Sequence, residues 1–414
     1  MLSSFREATV SARAALLAGA VSSLLSAAAW SAVDAYVIPE FDVRAEHHTN
    51  VDLRPDDSTD TRKESVNSYG GLLGATLGMR SPRGKTEIHP LVEYQDYPDR
   101  DELTDTNLYF DLKSVYEFQR DSFAVVGHYT RLNEVNAEIP EAGFDNFDPQ
   151  DPTDASASAI RLEALTISRM QLRPEYVHRL SERLGVGASA LFQTVKFDSD
   201  SGDTKPDNKY GQLQGFLAWT LDQRTTLQTG LYASQFETDD DSNTTKGKGV
   251  IVNLERVWTP AFSGFVTLNG ERTDVEAPGQ KDLSSNSWGF TVGGTRSSQV
   301  GRTQLSAGRT LSPSFSGSRV TLDEIRLQYD RSLSERLSVS SAGRTYRSRS
   351  EGFVDSEDSD FARADLEIRY ALTPTWYVAG GYSYIWQKFR VDDRDGNDNV
   401  FGIHMGYVGL PPQK

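Results

Sequence analysis

The sequence predicts an all-β fold: a single transmembrane antiparallel up-and-down β-barrel of about 18 strands, preceded by a signal peptide. Three observations predict it. Apolar and polar residues alternate with a period of two in one segment after another, short turns alternate with long acidic loops between these segments, and no domain linker interrupts the series. We therefore divide the chain into a signal peptide, residues 1–32, and an outer-membrane β-barrel, residues 33–414.

Residues 360–389 are the clearest example of the repeating unit. Ala364, Leu366 and Ile368 alternate with charged residues, so a strand would be apolar on one face and charged on the other. A helix would mix these residues on all sides. The turn at residues 373–375 leaves no room for a helix, and an aromatic-rich segment follows it, which indicates an antiparallel hairpin.

Residues 1–32 have the pattern of a secretory signal peptide. Arg6 and Arg13 precede an apolar segment, residues 14–29, and small residues such as Ala32 provide cleavage points. A buried or anchoring N-terminal helix is the alternative. We expect export from a bacterial cytoplasm, and the absence of cysteine fits a protein that folds outside it without disulfides.

Composition excludes several classes of protein. With 37 % hydrophobic residues, and no apolar run of about 20 residues beyond the N-terminal segment, the chain does not have the pattern of a helical membrane protein. The net charge of -16 argues against a nucleic-acid partner, because phosphate binding requires a basic face. The acidic residues concentrate in the predicted loops.

The alternation continues through the chain in order. In the first strand Phe41 and Val43 share one face while Asp42 and Arg44 share the other, and turn residues at 81–84 return the second strand to the third. We expect strands at residues 35–48, 66–80, 85–97, 107–118, 122–132, 158–178, 184–197, 209–221, 225–237, 249–258, 262–272, 286–295, 300–310, 319–329, 336–346, 361–372, 376–389 and 400–410.

The connections between the strands are unequal. About eight short turns alternate with about nine longer polar loops, which is typical of barrels with periplasmic turns and extracellular loops. The longest loop, residues 133–156, is the best candidate for one that folds into the pore.

A soluble β-sandwich shares the alternation, but so many strands would need two or more domains joined by linkers. In a membrane barrel the apolar face meets lipid and the charged face lines a water-filled interior. Aromatic residues near the strand ends are then expected to form interfacial girdles: Tyr94, Tyr97, Tyr116, Tyr129, Trp258, Tyr370, Trp376, Tyr377 and Trp386.

Three stretches carry a resemblance to a known family. They are the opening segment YVIPEFDVRAEHHTNVDL and the segments RLSERLGVGASALF and RSLSERLSVSSAGRTY, the last two of which share a Leu-Ser-Glu-Arg turn. The chain resembles the β-barrel porins associated with exopolysaccharide loci in Gram-negative bacteria, over nearly all of its mature length. The resemblance implies a barrel in the bacterial outer membrane, in contact with its lipid, that assists polysaccharide export with periplasmic export components. It implies no catalytic residues.

Strand parity selects the residues that would line the interior. They carry both signs of charge in near balance, which suits a wet channel for hydroxyl-rich or anionic polymers. The alternative is that they form salt-bridge ladders that stiffen the wall. The lumen-lining candidates are Arg44, Asp111, Arg161, Glu163, Arg169, Glu324, Arg326, Arg344, Arg363, Asp365, Glu367 and Arg369.

Catalytic and metal-binding patterns are weak. The six histidines are dispersed and none has the spacing of a metal motif, so we expect no metal, no cofactor and no enzymatic activity. The leading hypothesis is a channel that assists export of exopolysaccharide or passage of polar and charged solutes. The alternatives are a structural or receptor-like barrel with acidic extracellular loops, and an outer-membrane hydrolase.

Overall fold

The structure is a computed structural model that describes residues 34–51, 53, 65–133, 165–199, 207–239, 244–276, 283–313, 319–351, 358–390 and 394–410. Within these residues 18 strands form one sheet. The predicted signal peptide, residues 1–32, lies outside them and stays a prediction.

The strands are β1 (Asp34–His48), β2 (Val66–Ser81), β3 (Gly84–Asp96), β4 (Asp105–Glu117), β5 (Asp121–Asn133), β6 (Leu165–Arg179), β7 (Leu184–Ser199), β8 (Asn208–Asp222), β9 (Thr225–Thr238), β10 (Thr244–Thr259), β11 (Phe262–Glu276), β12 (Leu283–Ser298), β13 (Gly301–Pro313), β14 (Arg319–Ser332), β15 (Leu337–Glu351), β16 (Ser359–Ala371), β17 (Trp376–Phe389) and β18 (Arg394–Val408).

The sheet closes into a barrel. Each strand pairs antiparallel with its neighbours in sequence, and β1 pairs with both β2 and β18. At the closure, Glu40 lies opposite Val408 and His48 opposite Val400. The predicted fold class, an all-β antiparallel up-and-down barrel of 18 strands, is therefore confirmed. Closure removes the edge strands that an open sheet would expose.

The two ends of the barrel differ in their connections. Short turns such as residues 82–83 and 223–224 follow the even-numbered strands up to β16, while the other end carries longer segments such as residues 49–65 and 134–164. By the usual asymmetry of these barrels, the short turns are periplasmic and the long loops extracellular. We use these two names for the ends from here on.

Several strands extend further into the extracellular loops than the sequence predicts. β10 begins at Thr244 rather than at residue 249, and β18 begins at Arg394 rather than at residue 400. Beyond the membrane both faces of a strand can be hydrated, so polar residues occupy consecutive positions and the alternation disappears. Cross-strand pairing continues there regardless, as between Asp395 and Lys388.

The outer surface is apolar over the middle of the barrel. Leu213 and Ile403 are 65 % and 69 % exposed, and the residues on either side of each along its strand face the interior. Such a belt is stable only against lipid, so the chain is a β-barrel of the bacterial outer membrane. No helix in the described residues is long and apolar enough to span a membrane.

Aromatic residues mark the periplasmic border of this belt. Phe41 packs edge-on against Trp376 at 5.2 Å and stacks on Tyr407 at 5.6 Å. Two of the predicted girdle residues lie elsewhere. Tyr377 follows Trp376 in β17 and therefore points to the opposite, inner face, where it donates to Asp42, and Tyr97 is completely buried beneath the extracellular connections.

Candidate functional site

Strand alternation determines which side chains face the interior. The predicted residues in the described part of the chain all lie on the inner faces of their strands, whereas Arg161 and Glu163 lie outside the described residues. That these side chains line a path for solutes stays a prediction. The residues placed on inner faces are Arg44, Asp111, Arg169, Glu324, Arg326, Arg344, Arg363, Asp365, Glu367 and Arg369.

The inner faces of β14–β18 and β1–β5 form a continuous charged surface, which we call the charged wall. On β1–β4 its centre is Arg44, which lies 2.8 Å from Glu93 and 3.7 Å from Asp42. Glu93 also accepts hydrogen bonds from Asn107 at 3.1 Å and from Tyr109 at 2.9 Å. The Glu93 carboxylate therefore accepts from three donor side chains, and these hydrogen bonds fix the orientation of each donor.

A second group of the charged wall contains two histidines and two carboxylates from β1, β3, β4 and β5. His128 lies 2.5 Å from Asp111, His89 lies 3.7 Å from the same carboxylate, and His89 also contacts Glu40. The group has no metal geometry: no set of three or more potential ligands in the described residues is arranged to hold a metal ion. Its chemistry is that of a hydrogen-bonded ion-pair chain across adjacent strands.

On β14–β17 the wall contains a carboxylate shared by two arginines. Glu324 lies 2.6 Å from Arg326 and 2.6 Å from Arg344. Beside them Arg363 lies 2.8 Å from Asp365, which also accepts a hydrogen bond from Ser383 at 2.6 Å. These arginine side chains are largely withdrawn from water, so their orientation depends on the carboxylates.

A fourth group spans the closure of the barrel. His404 lies 2.8 Å from Asp42 and 3.2 Å from Glu367, and Glu367 lies 3.1 Å from Arg369. The Arg369 guanidinium stacks over the ring of Tyr377 at 4.2 Å. Neither His404 nor Tyr377 was among the predicted lumen-lining residues, although the parity that selected Arg44 and Glu367 also places these two on the inner face.

The opposite side of the barrel has a different lining, which we call the amide wall. On β7–β13 the inner faces carry mainly amide and hydroxyl side chains. Thr267 donates to Asn253 at 3.2 Å, and Tyr232 donates to Glu271, a carboxylate among these neutral groups, at 2.8 Å. The amide and hydroxyl residues of this wall include Gln193, Gln212, Gln214, Gln228, Asn253, Thr267, Asn269, Thr291, Gln304 and Ser306.

The first extracellular connection turns into the barrel. The backbone N–H groups of Thr49 and Asn50 both donate to Asp398 at 2.8 Å, and His48 lies 3.0 Å from the same carboxylate. Leu53, with a φ of 50°, is 4 % exposed. A leucine rarely adopts positive φ, so the surrounding contacts must stabilise this conformation. We call the described residues 49–51 and 53 the inward segment.

Apolar residues on the inner faces of five strands receive the inward segment. Leu53 forms a buried cluster with residues from each of β14–β18, and Val51 forms another with Val66, Tyr97 and Leu103. The segment therefore covers the extracellular end of the charged wall. The other members of the Leu53 cluster are Leu322, Tyr346, Phe361, Ile385 and Val400.

The inward segment was not among the features predicted from the sequence. Residues 133–156 were predicted as the loop that folds into the pore. Residues 134–156 of that loop lie outside the described residues, so that prediction stays untested. A signal for the inward segment is present in the sequence: Val51 and Leu53 are apolar residues in a loop otherwise rich in Asp and Thr. Apolar residues at such a position indicate burial against another part of the protein.

These features define the class of the protein: an outer-membrane β-barrel of porin-like architecture, with a polar interior and an extracellular connection folded into it. Neither a protein-family model nor a curated protein sequence matches the chain.

Among solved structures, the chain is similar to the outer membrane protein opdK from Pseudomonas aeruginosa, with 10 % identity, coverage of 90 % of this chain and 99 % of that chain, and a TM-score of 0.43. It is also similar to OccK2 (OpdF) from the same organism in complex with glucuronate, with 12 % identity, coverage of 91 % and 99 %, and a TM-score of 0.45. For Acinetobacter baumannii OccAB3 the identity is 11 %, the coverage 90 % and 98 %, and the TM-score 0.43.

Proposed function

We propose that the protein is a passive outer-membrane channel for small polar and charged solutes. The observation that carries the proposal is the pairing of two different polar walls inside one closed barrel. An 18-stranded barrel with strands about 4.8 Å apart and tilted by about 40° is roughly 35 Å across between backbones, which is wide enough for an aqueous path. Fixed charges on one side and neutral hydrogen-bonding groups on the other suit solutes that exchange partners as they pass.

The inward segment gives this channel a constriction. It lies inside the barrel at the extracellular end of the charged wall. Asp398 anchors it through two backbone N–H groups. Solutes entering from outside would pass between this segment and the amide wall. The passage therefore favours small solutes over a wide polymer.

Conductance of the purified protein in a planar lipid bilayer tests the proposal. We expect discrete conductance steps from the wild-type barrel. Deletion of residues 50–53 should increase the conductance of each step because it removes most of the inward segment. The milder change Asp398→Asn should also increase it, because the segment loses its anchor. Asp274→Asn is the matched control: Asp274 is a carboxylate near the same end of the barrel but on the outer face, and its loss should leave the conductance unchanged.

A bilayer that stays silent with both the wild type and the deletion variant would contradict the channel. It would favour the receptor-like barrel, in which the extracellular connections bind a partner over a closed interior. The anchored inward segment is the feature that makes this second candidate worth testing. Binding of a partner by the wild type, lost when the loops are trimmed, would support it.

Assistance of exopolysaccharide export is a more specific hypothesis, and it rests on the sequence resemblance. The charged wall offers arginines to acidic sugars, and the amide wall offers groups that pair with hydroxyls. If an acidic oligosaccharide uses this path, it should block the current in a concentration-dependent way, and a neutral oligosaccharide of equal length should block it less. The absence of any block by either would contradict this hypothesis and leave the channel itself intact.

A further inference from the structure

A row of alternating charges crosses the outer face of six adjacent strands, β13–β18. Each residue lies directly opposite the next in the strand pairing, from Arg309 and Asp323 on β13 and β14 to Lys388 and Asp395 on β17 and β18. We call this set the outer charge row. Its members are Arg309, Asp323, Arg347, Asp360, Lys388 and Asp395.

The row lies at the extracellular border of the apolar belt. On β14, Asp323 belongs to the row and Ile325, two positions nearer the periplasm on the same face, is exposed to the lipid side. On β18, Asp395 is followed on the same face by Asn397, Asn399 and the exposed Phe401. Charges facing hydrocarbon cost several kcal/mol at the midplane and little near the interface, so the row belongs at the level of the lipid head groups.

Ion pairs fix the arginine side chains of the row. Arg309 donates to both oxygens of Asp323, at 2.6 Å and 2.9 Å. Asp360 lies between two arginines, with Arg347 at 2.7 Å from one oxygen and Arg390 at 2.7 Å from the other. A guanidinium has five N–H donors, so a carboxylate on one side orients the group and leaves donors for a second anion.

Two further arginines lie next to the row. Arg349 and Arg390 lie further from the membrane at the extracellular ends of β15 and β17, and both are exposed. Arg349 acts electrostatically on Asp323 together with Arg347. Together with these two arginines, the row has five arginine and lysine side chains and three aspartates, on a chain whose net charge is -16.

Tryptophans lie next to the row on the outer face. Arg309 stacks over the ring of Trp288 at 5.3 Å, and Trp386 donates to Asp395 at 3.3 Å. Tryptophan prefers the boundary between acyl chains and head groups, which places the row at that depth by a second criterion. Elsewhere at this end, β2 and β3 carry exposed Tyr69 and Tyr94 on the outer face, so the border of the belt does not by itself require charges.

We propose that the outer charge row, together with Arg349 and Arg390, binds the phosphorylated head group of a glycolipid in the outer leaflet. Arginines in fixed orientation match phosphate oxygens through paired N–H donors, and the exposed apolar residues below the row contact the acyl chains of the same molecule. Comparable charges on β8–β11 form separate pairs, Lys209 with Asp239 and Lys246 with Glu276, and Gln235 and Thr244 interrupt any row there.

Binding of lipid A by the full barrel in detergent, measured by native mass spectrometry, tests this site. We expect the wild type to bind lipid A with two phosphates about tenfold more tightly than the same lipid with both phosphates removed. The variant Arg309→Gln/Arg347→Gln/Arg390→Gln should lose that preference. Its control is Arg256→Gln/Arg296→Gln/Arg331→Gln, which removes three exposed outward arginines near the periplasmic end and should retain the preference.

Several outcomes would overturn the site. Equal binding of the two lipids by the wild type, or an equal loss in both triple variants, would mean that phosphate is not recognised at this row. Association of two barrels through this face in lipid-free detergent would assign the surface to a second copy of the chain. Heat-modified mobility in gels confirms that each variant is folded, and unchanged conductance separates a failure here from a failure of the proposed channel.

Discussion

The two walls of the interior use polar side chains in different ways. In the charged wall Glu324, Glu93 and Asp111 each contact two or more partners, and most of these partners are arginine or histidine. In the amide wall the contacts join mainly neutral groups, such as Thr267 and Asn253. The difference concentrates the fixed charge on one side of the barrel. A solute inside would experience a field directed across the passage rather than along it.

The two walls should respond differently to single amino-acid substitutions. Removal of one member of a charged group leaves a buried charge without its partner. The resulting loss of stability is larger than the stability that the intact ion pair contributes. Removal of a neutral amide costs about one hydrogen bond. We therefore expect the charged wall to be sensitive to single substitutions and the amide wall to tolerate them.

The largest effect should come from the apolar cluster above the charged wall. Phe361 is 1 % exposed and stacks on Tyr346 at 4.8 Å. Phe361→Ala should lower the free energy of unfolding by about 4 kcal/mol through a cavity and release the inward segment. Urea unfolding in lipid vesicles measures the first effect and single-channel conductance the second. Leu366→Ala, on the lipid-facing side of the same strand, is the control and should leave the conductance unchanged.

The next effect concerns the carboxylate shared by two arginines. Glu324→Gln should lower the free energy of unfolding by about 3 kcal/mol, because Arg326 and Arg344 lose their counter-charge. It should also shift the reversal potential in a KCl gradient toward anion selectivity. An unchanged reversal potential would show that these arginines do not face the ion path.

A glycine in the amide wall should have an intermediate effect. A Cβ on Gly249 would lie 2.4 Å from the ring of Tyr232 and 2.6 Å from the carbonyl oxygen of Gly270, so Gly249→Ala must move the ring away from its hydrogen bond with Glu271. We expect the free energy of unfolding to fall by about 2 kcal/mol. At Gly215 a Cβ would have no neighbour within 4 Å, and Gly215→Ala should be neutral or stabilising.

The smallest effect should come from a neutral pair of the amide wall. Thr267→Val removes the hydrogen bond to Asn253 and nearly preserves the volume, so the free energy of unfolding should fall by about 1 kcal/mol and selectivity should not change. A loss as large as that of Glu324→Gln would contradict the distinction between the two walls.

Much of the architecture could be predicted from the sequence. Alternation placed β17 at residues 376–389, and the structure has Trp376–Phe389. The same alternation placed Arg363 and Glu367 on one face without knowledge of any partner strand. Alternation did not predict where β10 and β18 begin, because their hydrated extracellular ends carry no apolar face. Tyr377 was wrongly assigned to the outer face by its residue type, although its neighbour Trp376 already occupied that face.

The candidate site could be predicted only in part. Side chains could be assigned to a face, but their partners could not, because the partner depends on the offset between strands. Glu324, Arg326 and Arg344 were each predicted, whereas their meeting at one carboxylate was not. The same holds for Arg309 and Asp323, which nothing in the local sequence connects.

The amino-acid sequence by itself determined the strands, their two faces and the difference between the two ends, because a period of two and the lengths of the turns are local properties. The tertiary structure alone decided which charges share a partner, where the outer charge row runs and that the inward segment enters the barrel. Asp398 anchors Asn50, and Leu53 joins one buried cluster with Leu322, only because closure of the sheet brings distant segments together. Contacts of that kind depend on the register of the whole barrel, and a short stretch of sequence does not specify them.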